Sequence, residues 1–137
     1  LGVDRASYAT RVGTLVRNGI VTSIHSDAPV AAPDPLKEAW SVVTRRDVYN
    51  DGKVWAPAEA LSSAEAMKMV TINAAYTLGV ESKVGSIEAG KFADFAVLND
   101  DPQTVPAIKI KDVGVYATVL GGKVIPVSET KKPRPLN

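Results

Sequence analysis

Two side chains that can bind a metal or move a proton lie two positions apart near the start of the chain, His25 and Asp27. They directly follow residues 20–24, IVTSI, a β-branched segment whose composition is typical of a buried strand. A carboxylate next to a buried strand is costly to desolvate unless it binds a metal, takes a proton or pairs with a cation. Asp27 is therefore the residue whose position most favours chemistry.

Both residues also have a structural interpretation, which their types and spacing leave open. Asp27 precedes Ala28 and Pro29, so its side chain can close an Asx turn without any chemical role. His25 is the single histidine of the chain, and a neutral imidazole is readily satisfied by a backbone hydrogen bond. One histidine and one aspartate are too few for a zinc site, which takes three or four protein ligands.

Two weaker candidates for binding anions lie further along the chain. Residues 85–91, GSIEAGK, are superficially similar to a glycine-rich phosphate loop. Such loops lead into a helix, whereas this stretch precedes a predicted strand, which favours a pair of turns. Arg45 and Arg46 follow a predicted helix and are candidates for contact with an anionic substrate group. The alternative for both arginines is an ordinary surface salt bridge.

Composition restricts the class of protein. The chain has 137 residues, 45% of them hydrophobic, which is sufficient for a globular core. It has 16 basic and 15 acidic residues, so its net charge of +1 gives no field that favours nucleic acid or an anionic membrane. Cysteine is absent, which excludes disulfides and thiolate metal ligands. No apolar run approaches the roughly 20 residues that span a bilayer.

The elements that position the candidate residues follow from the periodicity of the apolar residues. Helical spacing predicts helices over residues 7–18 and 36–46. A third helix, predicted over residues 62–78, begins with Ser62 and Glu65, three positions apart as in a capping box. A helix followed by the predicted strand at residues 20–24 is half of an α/β unit, and in such folds chemistry occurs at the strand ends.

The second half of the chain has the pattern of strands. They are predicted over residues 95–98, 113–120 and 123–127. Gly121 and Gly122 separate the last two, and a pair of glycines is typical of a two-residue hairpin turn. We therefore predict an antiparallel hairpin at this position.

These elements divide the chain into an α/β part, residues 1–78, and a β part, residues 79–128. Residues 129–137 contain lysine, arginine and two prolines, and we expect them to form a mobile tail. Neither part has enough strands for a stable sheet of its own. Since the chain also begins with leucine rather than methionine, we expect it to be a section of a longer protein.

Three stretches resemble, in this order, the last third of the amidohydrolase superfamily. They are residues 24–30, IHSDAPV, residues 71–79, TINAAYTLG, and residues 84–98, VGSIEAGKFADFAVL. The last stretch is specific to the superfamily, whereas SDAPV is similar to the amidohydrolase-3 branch, which includes N-substituted formamide deformylases. The similarity covers the chain up to about residue 127.

The resemblance implies an α/β fold: the C-terminal end of a (β/α)8 barrel plus part of a small composite β-sandwich. Residues 20–24 would be the eighth barrel strand. Asp27 matches the family's aspartate at the end of that strand, which contacts a divalent metal and acts as general base and then general acid. That metal would be zinc in the longer protein. His25 matches none of the family's histidine ligands, so it would at most contact a ligand rather than the metal.

The family's remaining metal ligands have no match in this sequence. We therefore expect the chain alone to be inactive and not to hold the metal stably. The longer protein would hydrolyse C–N bonds of non-peptide amides, formamides or cyclic amides. The alternative is a non-catalytic regulatory or interaction module that keeps the amidohydrolase fold.

The implied partners are a small-molecule amide substrate and a polypeptide that completes the fold. That polypeptide would be the upstream barrel portion of the same protein or another copy of this chain. We expect neither nucleic acid nor a membrane as a partner. We expect a soluble protein, and the cytoplasm is favoured over other compartments although a removed signal peptide would leave the same sequence.

Overall fold

The computed structural model describes residues 2–6, 8–47 and 52–127. Five α-helices, two 3-10 helices and three strands occur in these ranges, in a mixed α/β order. The α-helices are α1 (Gly2–Ala6), α2 (Val12–Arg17), α3 (Pro35–Thr44), α4 (Ser63–Met69) and α5 (Ile72–Thr77). The 3-10 helices are Pro57–Glu59 and Ala107–Asp112, and the strands are β1 (Phe95–Leu98), β2 (Val115–Leu120) and β3 (Lys123–Pro126). The tail predicted at residues 129–137 lies outside the described residues.

Helix α3 forms the centre of the core. Asp34 starts it by accepting a hydrogen bond from the Lys37 amide at 3.1 Å, and Pro35 follows in the first turn, where its missing N–H costs nothing. Its buried face packs against α4 and against the 3-10 helix Ala107–Asp112. The resulting cluster consists of Ala39, Trp40, Val42, Leu61, Ala66, Met69 and Ile110. The helix predicted over residues 36–46 is therefore confirmed, with its ends shifted by one or two residues.

The predicted capping box starts α4. The Ser62 hydroxyl accepts a hydrogen bond from the Glu65 amide at 3.3 Å, and the Glu65 carboxylate accepts one from the Ser62 amide at 2.8 Å. The prediction of one continuous helix over residues 62–78 is wrong. At Thr71 the backbone leaves the helical region, with φ −126° and ψ −101°, and this separates α4 from α5.

The three strands form one antiparallel sheet in the order β1-β2-β3. The predicted hairpin is confirmed: Gly121 and Gly122 join β2 to β3 with φ angles of +56° and +79°. Two consecutive positive φ angles match the twist of paired strands and strongly favour glycine. The turn is also held to the entry of β1, because the Gly121 amide donates to the Asp94 carboxylate at 2.6 Å and the Gly122 amide to the Ala93 carbonyl at 3.0 Å.

Residues 85–91 form bends and turns, as predicted, rather than a phosphate loop. Gly85 has a φ of +93° and lies directly on α5, where a Cβ atom would be 2.6 Å from the Ala75 Cβ. Lys91 closes the stretch by donating to the Ser86 hydroxyl at 2.6 Å. Glycine is required at residue 85 both by backbone angle and by contact, which explains its place in the motif.

The prediction of a buried strand at residues 20–24 is wrong for this chain. The segment has no strand partner within the described residues, and Ile20 and Val21 are 51% and 49% exposed. Thr22 is held instead by its carbonyl, which accepts a hydrogen bond from the Asn73 side chain at 3.0 Å. A strand requires a neighbouring chain for its backbone groups, and local sequence cannot supply one. The preceding helix, predicted over residues 7–18, is shorter and consists of α2.

Glu59 fixes α2 to the rest of the fold. This buried carboxylate accepts hydrogen bonds from the Thr14 amide at 2.6 Å and the Thr14 hydroxyl at 2.5 Å. The guanidinium groups of Arg11 and Arg17 lie 3.8 Å from it. The two bonds from Thr14 lower the pKa of Glu59, and the arginines lower it further. Gly13 permits this approach, since a Cβ atom there would lie 2.6 Å from the Glu59 carbonyl oxygen.

Within the described part of the chain, no helix combines the length and the apolar character required to cross a bilayer.

Replacing both Gly121 and Gly122 with valine is expected to destabilise the full-length protein by about 2–4 kcal/mol, at about 1–2 kcal/mol for each left-handed residue. Urea denaturation followed by circular dichroism measures the change. Gly121→Asn is the matched control, because asparagine tolerates a positive φ angle. Equal stability of the double-valine variant and the control would contradict the turn geometry.

Glu59→Gln is expected to lower the denaturation midpoint at neutral pH and to reduce its fall in acid. The folded-state pKa of Glu59 is below the ordinary value of 4.5, so its stabilisation is present above pH 4.5 and is lost as pH falls through the lower folded-state pKa. Thermal melts across the acid range test this. Glu88→Gln, at an exposed carboxylate that pairs with Lys91 and accepts a hydrogen bond from the Ser86 hydroxyl, should change the profile little. The idea fails if both variants melt alike at every pH.

Candidate functional site

Asp27 begins a tight turn directly after the extended segment at residues 20–24. Its backbone is left-handed, with φ +56°, and its carbonyl accepts a hydrogen bond from the Val30 amide at 2.8 Å. Such a conformation is uncommon for residues other than glycine, although aspartate adopts it more readily than most. The side chain is exposed. The predicted site residue thus occupies a specialised backbone position.

His25 fixes this conformation from two positions earlier. Its Nδ1 accepts a hydrogen bond from the Asp27 amide at 3.0 Å. In a neutral imidazole the proton is then on Nε2, and Nδ1 is not available to a metal. This is the structural interpretation of His25, and its contact with a metal ligand stays a prediction.

The Asp27 carboxylate makes no hydrogen bond or ion pair with any other residue in the described ranges. The turn is therefore stabilised by the Asp27 backbone, while the carboxylate is available to another group. An Asx turn, the alternative interpretation of Asp27, would have engaged this side chain. The site can accept a proton or contribute one oxygen ligand.

The residues of this chain do not by themselves fit a metal ion. Nowhere in residues 2–6, 8–47 and 52–127 do three or more histidine, cysteine, aspartate or glutamate side chains come together as ligands. A zinc site takes three or four protein ligands, and Asp27 supplies one at most. Metal binding at this position requires ligands from outside the described residues.

Helix α3 supports the segment that leads to the Asp27 turn, because Ile24 packs against the core cluster to which α3 contributes. Burial raises the pKa of Glu38 on this helix, and a backbone hydrogen bond at Asp34 lowers it. The helix begins at Pro35, and its other end is at Thr44.

That other end carries the two arginines of the anion-binding hypothesis. Arg45 donates from Nε to the Trp55 carbonyl at 3.2 Å and from Nη2 to the Ala9 carbonyl at 3.1 Å. Arg46 donates to the Gly52 carbonyl at 3.0 Å. Among the described residues neither arginine makes the salt bridge of the alternative interpretation. Both border a cleft that also includes Ile24, three residues before Asp27.

Sequence reasoning did not identify Glu59 as part of the support for this site. Glu59 holds α2, and α2 leads directly into the segment that ends at Asp27. Its partner Thr14 is 45 positions away in sequence. No local pattern links two such residues, and a glutamate beside a proline-containing turn gives no signal of burial.

The chain is similar to known amidohydrolases over almost its whole length. It matches the sequence model of the amidohydrolase family over residues 1–126. YtcJ of Bacillus subtilis (strain 168), named as an amidohydrolase, is 32% identical over 126 residues, which cover 91% of this chain and 24% of that protein. The N-substituted formamide deformylase of Arthrobacter pascens is 34% identical over 111 residues, covering 81% of this chain and 20% of that enzyme.

A solved structure shows the same fold. The crystal structure of an amidohydrolase from Thermotoga maritima MSB8 superimposes with a TM-score of 0.60 at 23% sequence identity. The overlap covers 83% of this chain and 25% of that protein. The chain thus spans about a quarter or less of the length of the relatives it matches. With a family match over residues 1–126 and a fold like that of an amidohydrolase, the chain belongs to the amidohydrolase family.

Proposed function

We propose that this chain is the C-terminal part of a metal-dependent hydrolase that acts on C–N bonds of non-peptide amides, formamides or cyclic amides. The observation that carries the proposal is the Asp27 turn. In a chain of this family, a carboxylate without a partner in the described residues is held in a left-handed turn by His25. A left-handed non-glycine residue costs about 1–3 kcal/mol, and such strain is concentrated at functional sites.

In this proposal Asp27 performs the proton transfers. Its carboxylate accepts a proton from the water that attacks the amide carbonyl carbon. It then donates that proton to the nitrogen as the C–N bond breaks, so the carboxylate is regenerated and the products are an acid and an amine. The fixed backbone of the turn keeps the carboxylate in one place through both steps.

The proposal includes a divalent metal, with zinc favoured, held by the complete protein. Asp27 would contribute one ligand, and the other ligands would lie outside this chain, since the described residues do not assemble a site. In the complete protein residues 20–24 would take the position of the eighth barrel strand. Residues 1–78 would then belong to the barrel and residues 79–128 to the small β-sandwich.

Exposed apolar side chains support the proposal that another polypeptide packs against this chain. Tyr116 and Leu120 on β2 are 68% and 63% exposed, and Val124 and Ile125 on β3 are also exposed. The open backbone groups of residues 20–24 add a second unsatisfied surface. We propose that the upstream barrel portion of the same protein covers these surfaces, and that copies of the isolated chain cover one another in its absence.

Asp27→Asn in the full-length protein should reduce turnover of a formamide substrate by about 100-fold or more, the scale of a general acid–base group. Asparagine tolerates the left-handed turn, so the melting temperature should change little. Steady-state kinetics with a parallel thermal melt measures both quantities.

Asp34→Asn is the matched control, because it neutralises a neighbouring carboxylate and asparagine can still cap α3. It should retain nearly full turnover. Near-normal turnover of Asp27→Asn would remove Asp27 from the mechanism, and the absence of turnover in the unmodified full-length protein would favour a non-catalytic module.

The isolated chain of 137 residues should self-associate and bind an apolar dye. At about 25 cal/mol per Å², a few hundred Å² of exposed apolar surface costs several kcal/mol, which is comparable to the stability of a small domain. Light scattering and dye fluorescence test this, and replacing both Tyr116 and Leu120 with lysine should reduce association. A monomer that melts cooperatively and binds no dye would show that no partner is required.

A further inference from the structure

A cleft of about 350 Å³ opens next to the segment that leads to Asp27. Its volume is within the range of small-molecule sites, about 300–1,000 Å³. Ile24 contributes to the wall and is three residues from Asp27, so the two backbones are at most about 11 Å apart. The other lining residues are Ala9, Thr10, Ser41, Val42, Arg45, Arg46, Asp47 and Trp55.

One wall of this cleft is a short antiparallel ladder. The Trp55 amide donates to the Arg45 carbonyl and the Asp47 amide to the Lys53 carbonyl, both at 2.9 Å. Arg46 is paired with Val54 between these two bonds. Both arginines line the cleft, but Arg45 is half-buried at the end of α3, whereas Arg46 is exposed and donates to the Gly52 carbonyl at 3.0 Å.

The Arg45 side chain is held in one position, and several of its N–H groups make no hydrogen bond within the described residues. Its backbone is left-handed, with φ +53°, and its amide donates to the Ser41 carbonyl at the end of α3. A guanidinium has five N–H donors, and Arg45 uses two of them on the carbonyls of Trp55 and Ala9. Three donors remain on a side chain whose position is already fixed. A planar acceptor with two oxygens matches this geometry.

The charge of the cleft favours an anion. Arg45 makes no ion pair within the described residues, and burial lowers its pKa while the distant charge of Glu59 raises it. The guanidinium stays protonated at neutral pH. Asp47 is the acidic residue of the lining, and its carboxylate accepts a hydrogen bond from Trp55 Nε1 at 3.3 Å. The Lys53 ammonium lies 4.0 Å from the centroid of the Trp55 ring and adds positive charge nearby.

We propose that this cleft binds a carboxylate at the far end of the amide substrate, with Arg45 as the residue that contacts it. The inference rests on the proposed function and narrows it to amides that carry an acidic group. The apolar walls formed by Ile24, Val42 and the Trp55 ring accommodate an aliphatic spacer. The scissile amide then reaches Asp27 while the carboxylate is bound by Arg45.

The full-length protein can be tested with two pairs of probes that differ only in charge. Binding of hexanoate and hexanamide is measured by calorimetry, and hydrolysis of formamidohexanoate and formamidohexanamide by steady-state kinetics. The carboxylates should be preferred by about tenfold or more in Kd and in kcat/KM, as expected for hydrogen bonds to a charged group. The preference should decrease at high salt.

Arg45→Gln should abolish both preferences, and Arg45→Lys should keep part of them. Lys68→Gln is the charge control, since it removes an exposed cation on α4 that does not line the cleft, and it should keep both preferences. If Arg45→Gln does not fold, the comparison of Arg45→Lys with the unmodified protein decides the question. An unchanged carboxylate preference in Arg45→Lys that is also insensitive to salt overturns the proposal.

Other outcomes separate this inference from the proposed function. Hydrolysis of both formamides at equal rates, without hexanoate binding, would overturn the subsite and leave the hydrolase intact. Hexanoate binding that depends on Arg45, without hydrolysis of either formamide, would support the subsite and overturn the hydrolase. Equal losses in Arg45→Gln and Lys68→Gln would show a general charge effect and would also overturn the subsite.

Discussion

The burial of α3 between α4 and the 3-10 helix Ala107–Asp112 is the constraint on which the rest of the structure depends. Val42, Met69 and Ile110 are almost fully buried there, and each such side chain contributes about 1.5–3 kcal/mol when it leaves water. Because Ala107–Asp112 lies in the β part of the chain, this contact joins the two parts through one apolar cluster. The Leu61 amide, which donates to the Val42 carbonyl, extends the same contact toward Glu59.

The fixed position of α3 supports the backbone of both parts of the candidate site. Ile24 packs against the cluster to which α3 contributes, and His25, directly after Ile24, holds the Asp27 amide. At the end of the helix Arg45 has a left-handed conformation and braces Trp55.

The sequence predicted those features that depend on neighbouring residues. The Ser62–Glu65 capping box and the Gly121–Gly122 turn are determined by residues a few positions apart, and both are confirmed. Residues 20–24 were assigned wrongly as a strand because pairing depends on another part of the chain. Glu59 was not identified for the same reason, since its partners come from α2.

The same distinction between local and long-range features applies to the candidate site. Asp27 is predicted from the family motif and from its place after residues 20–24, and its role stays a prediction. Its left-handed conformation and its hydrogen bond with His25 follow only from the structure. The two arginines were equivalent in sequence. The structure distinguishes them, because Arg45 is half-buried and donates to the carbonyls of Trp55 and Ala9, whereas Arg46 is exposed and donates to the carbonyl of Gly52.

The ladder at Arg46 and Val54 restricts where relatives of this chain can differ in length. Its two hydrogen bonds join residues 45–47 to residues 53–55. Residues inserted between these two segments therefore leave the register unchanged. Doubling the length of such a loop costs only about 0.6 kcal/mol of closure entropy. A slip of one residue within the ladder, in contrast, would reverse the faces of its side chains. Relatives can therefore differ in the length of the chain between the arms while the bonds that position Arg45 at the cleft stay unchanged.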